Sequence, residues 1–320
     1  MKIVFLETDS LGDDVDYTPF YSIGEVIKYN NSDPDKNSQR VSEADVIVAN
    51  KIPMNAELLE HARNVTLICL TATGTNNVDF CYTNKRKITV ANVKSYSTNS
   101  VVQHTFALLF YVYEKLSYYD CFVKSGEYTT SDVFSRFDKK FNELYGKTWG
   151  IIGLGEIGGE VARVAEAFGC RIIYYSTSGK NNHPLYERVE FETLLKSADI
   201  ISIHAPLNFE TEMLIDKKAL KAMKKTGILL NLGRGKIIDE EALTWALENE
   251  EIAGAGLDVL SEEPMGKDNP LLRIKDSTRL IITPHIGWAT VEARRRCLSE
   301  VYENITAYLR GEERNLVKGD

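Results

Sequence analysis

The amino-acid sequence predicts an α/β protein built on doubly wound sheets, and three observations predict it. Short apolar runs of strand length alternate with helix-compatible polar stretches along nearly the whole chain. One run, at residues 149–152, leads directly into glycines in G-x-G-x-x-G spacing, Gly153, Gly155 and Gly158, and then into a helical pattern. From that unit onward the chain offers six strands, about the number in a doubly wound nucleotide-binding sheet.

In chain order, residues 1–98 form a small α/β domain of their own. Strands are expected at 3–6, 46–49, 66–70 and 88–91, each apolar and bounded by polar or turn residues, with a helix at 55–62. This part has no G-x-G-x-x-G and is not expected to hold a pyrophosphate. Its turn at 71–79, TATGTNNVD, sets Thr73 and Gly74 after an apolar strand. There backbone N–H groups can face a ligand, although a plain βα loop reads the same way. Ser97, Thr98 and Asn99 are candidate caps for a long helix through Val101, Val102, Thr105, Phe106, Leu108, Leu109 and Val112. It is apolar nearly all round and is predicted to be buried. Residues 117–146 carry Tyr118, Tyr119, Phe122, Tyr128, Phe134, Phe137, Phe141 and Tyr145 without a clear period. Such aromatics bury against a second copy of the chain or fold back on their own domain.

The central unit spans residues 147–176. Ile157, Val161, Val164, Ala165 and Phe168 have the spacing of one buried helix face, Gly169 stops that helix, and a strand follows at 172–175. Gly153 permits the tight turn, Gly155 lets a pyrophosphate approach the backbone, and Gly158 lets helix and strand pack closely. Free N–H groups at the helix start, near Glu156 and Ile157, suit phosphate. Strands are expected at 200–203, 228–231, 252–256 and 280–282, helices at 216–223 and 239–247, and a last long helix at 289–309.

Bulk properties narrow the function classes. The 320 residues allow two ordinary domains, and a 43% hydrophobic fraction suits a globular protein. A net charge of −8 and a pI near 5.4 argue against nucleic-acid and membrane-surface partners. No apolar run nears the ~20 residues that span a bilayer. The strand-like start KIVFL lacks the parts of a signal peptide, so a cytoplasmic protein is expected. Cys69, Cys81, Cys121, Cys170 and Cys297 are scattered and form no C-x-x-C pair, which suggests neither a disulfide framework nor a metal site.

Ligands of open α/β sheets sit beyond the carboxyl ends of the strands. At those ends stand His204 in HAPL, Arg234 in NLGRG, Asp258 and Glu263 in DVLSEEP, and His285 in TPHIGW. Hydride transfer to a 2-keto acid needs a cation to hold the carboxylate and polarise the carbonyl, and an acid to protonate the new alkoxide. It also gains from a carboxylate that stabilises the charged form of that acid. Arginine suits the first role through its planar fork, and histidine the second because it ordinarily titrates near working pH. Glu263 suits the third. Each residue alone reads equally well as a satisfied structural polar group; their joint placement carries the argument.

On GLGEIG at 153–158, NLGRG at 231–235, DVLSEEP at 258–264 and PHIGW at 284–288, the whole chain resembles the D-isomer-specific 2-hydroxyacid dehydrogenases. The resemblance implies a Rossmann dinucleotide-binding domain, residues 99–288, inserted into a flavodoxin-like substrate-binding domain, residues 1–98 plus 289–320. It implies a catalytic trio of Arg234, Glu263 and His285, in which the arginine binds substrate, the histidine is the acid/base, and the glutamate pairs with it. Implied cofactor contacts are Thr73, Glu156, Ile157, Ser176, Ala205, Leu232, Gly233, Asp258 and Gly287, beside the fingerprint glycines. Substrate contacts are implied at Thr73 and Gly74 together with Arg234 and His285. A homodimer through residues 100–145 is implied as well. KSYSTNSVVQHTFALL and HIGWATVEARRR look most like glycerate dehydrogenases, also called hydroxypyruvate reductases, which favours hydroxypyruvate or glyoxylate as substrate. Another 2-keto acid or a phosphonate on the same fold, and a non-catalytic NAD-sensing scaffold, are the alternatives. One position departs from the usual pattern. Where NAD enzymes place Asp or Glu to bind the ribose, this chain has Ser176, followed by Thr177, Ser178 and Lys180. NADP is therefore allowed as well as NAD.

Overall fold

The computed structural model describes residues 1–319 and divides into two compact units, residues 1–97 with 288–319, and residues 98–287. Both divisions fall one residue before the positions read from the sequence. Thr98 is the first residue of a long helix in the second unit, and the Trp288 ring packs on Tyr96 in the first.

The first unit is a five-stranded sheet of β1 (Lys2–Phe5), β2 (Glu25–Lys28), β3 (Val46–Ala49), β4 (Leu67–Leu70) and β5 (Thr89–Ala91). All pairs are parallel, in the order β2-β1-β3-β4-β5, which is the flavodoxin-like order. A parallel sheet is covered on both faces, and side chains alternate between two cores. Ile3, Phe5, Val46, Val48, Leu67 and Cys69 meet the last helix, Val291–Leu309, at Ala293, Cys297, Val301 and Ile305. Val4, Leu6, Ile47, Ala49, Ile68 and Leu70 meet Val41, Leu58 and Leu59 on the other side. Strand β2 was not expected. It is an edge strand whose residues are only partly covered, so EVIK lacks the apolar run of a central strand.

The second unit is a seven-stranded parallel sheet of β6 (Thr148–Ile152), β7 (Arg171–Tyr175), β8 (Glu187–Arg188), β9 (Ile200–Ile203), β10 (Ile228–Asn231), β11 (Gly254–Leu257) and β12 (Leu280–Ile282). Its order is β12-β11-β10-β9-β6-β7-β8. The first six strands in sequence thus follow the Rossmann order 3-2-1-4-5-6, and the seventh adds an edge. The strand missing from the sequence reading is β8, two exposed residues long. Between β6 and β9, where the winding reverses, the buried Trp149 indole donates to Ser202 Oγ at 2.9 Å, which satisfies two buried polar groups at once. The helix Thr98–Tyr113 is buried along most of its length, with Val102, Phe106, Leu109 and Val112 in the core on one face of this sheet. Beyond it a shorter helix, Leu116–Lys124, leads into an irregular stretch. In that stretch Phe134 and Phe137 are 90% and 80% exposed. Among the described residues no helix is long and apolar enough to cross a membrane.

Candidate active site

The glycine turn follows β6 at the point where the winding reverses. Gly153 has φ +88°, and a Cβ there would lie 2.8 Å from the backbone of Ala205; a Cβ on Gly158 would lie 2.3 Å from the carbonyl oxygen of Gly153. Both positions exclude a side chain. Space over Gly155 is open, and as N-cap of the helix Glu156–Ala167 it brings no side chain to satisfy the first-turn N–H groups. An open backbone, uncapped donors and the positive end of a twelve-residue helix fit a pyrophosphate.

Arg234 follows β10, Glu263 lies in the loop after β11, and His285 follows β12. These strands are adjacent and parallel, so all three residues leave the same carboxyl edge. The Asn231 side chain clamps the first of these loops: its Nδ2 donates to Arg234 O at 3.0 Å and its Oδ1 accepts from Gly233 N at 3.0 Å. The Arg234 guanidinium donates to Gly233 O at 2.8 Å, and among the described residues no carboxylate pairs with it. Its charge is available to an anion.

His285 Nδ1 lies 2.7 Å from Glu263 Oε2, and Glu263 Oε1 accepts from Leu260 N at 3.0 Å. The carboxylate is therefore oriented by backbone, and in turn orients the ring. With the Nδ1 proton directed at Glu263, Nε2 is the ring atom left to face a ligand. His285 is a quarter exposed and adopts φ +55°, a left-handed conformation that a non-glycine residue keeps only when its surroundings enforce it.

Asp258, at the end of β11, supplies much of that enforcement. Its carbonyl accepts from His285 N at 2.8 Å, and its carboxylate accepts from Ile286 N at 2.9 Å and Gly287 N at 2.8 Å. Burial raises the pKa of this carboxyl. Hydrogen bonds from His104, Thr283, Gly287 and Ile286 outweigh that effect and hold it below the usual carboxylate range. Sequence reasoning assigned Asp258 and Gly287 to the cofactor; the structure joins them to each other. His104 and Thr283 escaped the sequence reading altogether. The available signal was a histidine one helical turn after Ser100 in a largely apolar helix.

The remaining candidates are spread over both units. Leu232 and Gly233 open the Arg234 loop, and Ala205 stands against the glycine turn. Neighbouring His204 has both ring nitrogens enclosed without a partner among the described residues, and burial pushes its pKa down to about 3. Ser176 is buried, and its Oγ accepts from Asn181 N at 3.3 Å. Lys180, in the same turn, is exposed. In the first unit, the Thr73 hydroxyl donates to Val93 O at 2.9 Å, so the hydroxyl is already engaged. The backbone N–H groups of Thr73 and Gly74 meet no acceptor among the described residues.

A seven-stranded sheet wound in this order, with the glycine fingerprint at its reversal, defines a dinucleotide-binding oxidoreductase domain. Comparison with known proteins agrees. Residues 106–287 match the NAD binding domain of D-isomer specific 2-hydroxyacid dehydrogenase. A glycerate dehydrogenase of Methylorubrum extorquens is 35% identical over 318 residues, 99% of each chain. A glyoxylate reductase of Thermococcus litoralis is 40% identical over 295 residues, 88% of this chain and 86% of that one. The solved structure of an acyclic imino acid reductase in complex with NADPH and D-Arg matches with a TM-score of 0.86 and 30% identity, over 99% of this chain and 100% of that one. The chain belongs to the D-isomer specific 2-hydroxyacid dehydrogenase family. It is an oxidoreductase that uses a nicotinamide cofactor and acts on small 2-hydroxy or 2-keto acids.

Proposed function

We propose that the protein reduces hydroxypyruvate or glyoxylate to the corresponding hydroxy acid, D-glycerate or glycolate, with Arg234, Glu263 and His285 as its catalytic residues. The observation that carries this reading is the 2.7 Å contact between His285 Nδ1 and Glu263, on the same sheet edge as Arg234, with which no carboxylate pairs among the described residues. The Arg234 guanidinium binds the substrate carboxylate and draws electron density toward the carbonyl oxygen. Glu263 stabilises the positive charge that the imidazole carries before transfer. His285 Nε2 then gives its proton to the carbonyl oxygen as negative charge develops there. The nicotinamide, when bound, supplies the hydride to the carbonyl carbon. In the first unit, the N–H groups of Thr73 and Gly74, which meet no acceptor among the described residues, suit a carboxylate. The nucleotide is assigned to the second unit, through Gly153, Gly155, Glu156, Ile157 and Gly158 with Ala205, Leu232 and Gly233.

NADPH is accepted together with NADH in this reading. Residues 176–186 contain no acidic side chain that would repel a 2′-phosphate. Lys180 is exposed there, and Arg188 reaches the same turn, donating to Gly179 O at 2.8 Å. We assign a homodimer to residues 100–145, because Phe134, Phe137 and Tyr145 stand uncovered on the single chain. Five free cysteines suit a reducing cytoplasm.

The test is a panel of 2-keto acids, namely hydroxypyruvate, glyoxylate, pyruvate and a branched 2-keto acid, each with NADH and with NADPH. Hydroxypyruvate and glyoxylate should give the highest kcat/KM. A preference for the branched acid would overturn the substrate assignment, and no turnover with any of them would overturn the reading as a reductase.

A further inference from the structure

We propose that Ser100 and His104, one turn apart on the helix Thr98–Tyr113, are positioning residues that hold the turn carrying His285 in its working conformation. The proposal rests on the reading of His285 as the acid and explains how its backbone is kept there.

The turn at residues 283–287 places His285 at φ +55°. Three successive backbone N–H groups, of His285, Ile286 and Gly287, all end on Asp258, the first on its carbonyl and the other two on its carboxylate. Asp258 is therefore the post to which the turn is tied, and it is 3% exposed. A carboxylate that deeply buried stays in place only if its remaining lone pairs are met. Thr283 Oγ1 donates to Asp258 Oδ1 at 2.6 Å. Because that hydroxyl has given its proton to Asp258, it acts as acceptor toward His104 Nε2, which lies 2.9 Å away. The His104 ring therefore carries its proton on Nε2, which also lies 3.3 Å from Asp258 Oδ1. Four residues back, the Ser100 hydroxyl donates to Gly287 O at 2.6 Å. Positions i and i+4 share one helix face. One turn of helix thus grips both ends of the His285 turn, His104 through Thr283 and Asp258, and Ser100 through Gly287. The bonds of these two side chains run to Gly287, Thr283 and Asp258, so their effect passes through the backbone that aims the ring.

The test compares His104→Leu and Ser100→Ala with the conservative His104→Gln and Ser100→Thr. Each variant is measured for kcat and KM with hydroxypyruvate, for cofactor Kd by fluorescence titration, and for Tm. Misaiming an acid by about 1 Å costs on the order of 10²-fold. His104→Leu should therefore lose roughly 10–100-fold in kcat while cofactor Kd stays within about threefold. His104→Gln, whose amide can still donate to Thr283, should recover most of that loss. Ser100→Ala should lose less, and Ser100→Thr should recover it. If His104→Leu does not fold, the Ser100 pair decides: a kcat loss in Ala that Thr restores supports the proposal, and equal kcat in both overturns it. Unchanged kcat in folded His104→Leu, or equal loss in His104→Leu and His104→Gln, would also overturn it. His285→Ala, run in parallel, separates the two levels. Full turnover in that variant would sink the acid assignment itself, whereas a loss there with none in His104→Leu removes only the positioning role.

Discussion

Glu263 touches the His285 ring at 2.7 Å and also its own loop, at Leu260 N. The second contact fixes the side chain, so the first is available to chemistry rather than being an accident of a mobile carboxylate. Glu263→Gln keeps the shape and an acceptor for Nδ1–H but removes the charge. Bonds to a charged partner exceed neutral ones by about 1–2 kcal/mol, so reductive kcat should fall about tenfold with cofactor Kd unchanged. A kcat within twofold of wild type would show that the charge does no catalytic work. His204 makes a different prediction, about stability. Unfolded, it binds a proton below about pH 6.5; folded, it stays neutral until about pH 3. Its contribution is thus fully present above pH 6.5 and is lost as pH falls toward 3, by an amount on the order of a few kcal/mol. His204→Phe, which leaves no ring nitrogen to charge, should show a smaller drop in urea midpoint between pH 7.5 and 4.5 than wild type. Equal drops would mean that the folded protein charges this ring easily.

At the scale of elements, legibility in the sequence followed burial. Strands β3, β9 and β10 and the edge strand β12 stand where the apolar runs put them, and the other strands read from the sequence lie within about two residues of their expected bounds; a central strand covered on both faces must be apolar throughout. The edge strands β2 and β8 were invisible, as were the helices Pro34–Val41 and Phe80–Arg86. Those two helices bury only Asn37 and Val41 in one and Thr83 in the other, too little for an apolar stripe. Arg234, Glu263 and His285 stood out in the sequence because they lie in the loops after the apolar strands β10, β11 and β12, and the structure sets Glu263 beside His285. The His104 lock did not stand out, since it is closed by side chains distant in sequence. The missed strand β8 also has consequences for the cofactor, because it delivers Arg188 to the turn after β7. Arg188→Ala should raise KM for NADPH about tenfold, the worth of one charge-assisted contact of about 1.5 kcal/mol or more, and leave KM for NADH unchanged. Equal effects on both cofactors would place Arg188 away from the 2′-phosphate.

At the scale of the whole molecule, two parallel sheets of different winding account for nearly all of the core, and the uncovered aromatic stretch is what they leave over. A single chain that exposes Phe134 and Phe137 should not remain single. Sedimentation should give a dimer for the wild type and a monomer for Phe134→Asp combined with Phe137→Asp; a monomeric wild type would return this stretch to a surface extension. Proton transfer from His285 to a 2-keto acid at this site is decided by one comparison. Hydroxypyruvate reduction is measured in single turnover for wild type and His285→Ala, with cofactor bound to saturation in both. General acid catalysis contributes roughly 10²–10⁴-fold, and the variant should lose that much while binding the cofactor normally. Turnover by His285→Ala at the wild-type rate would remove His285 as the proton donor.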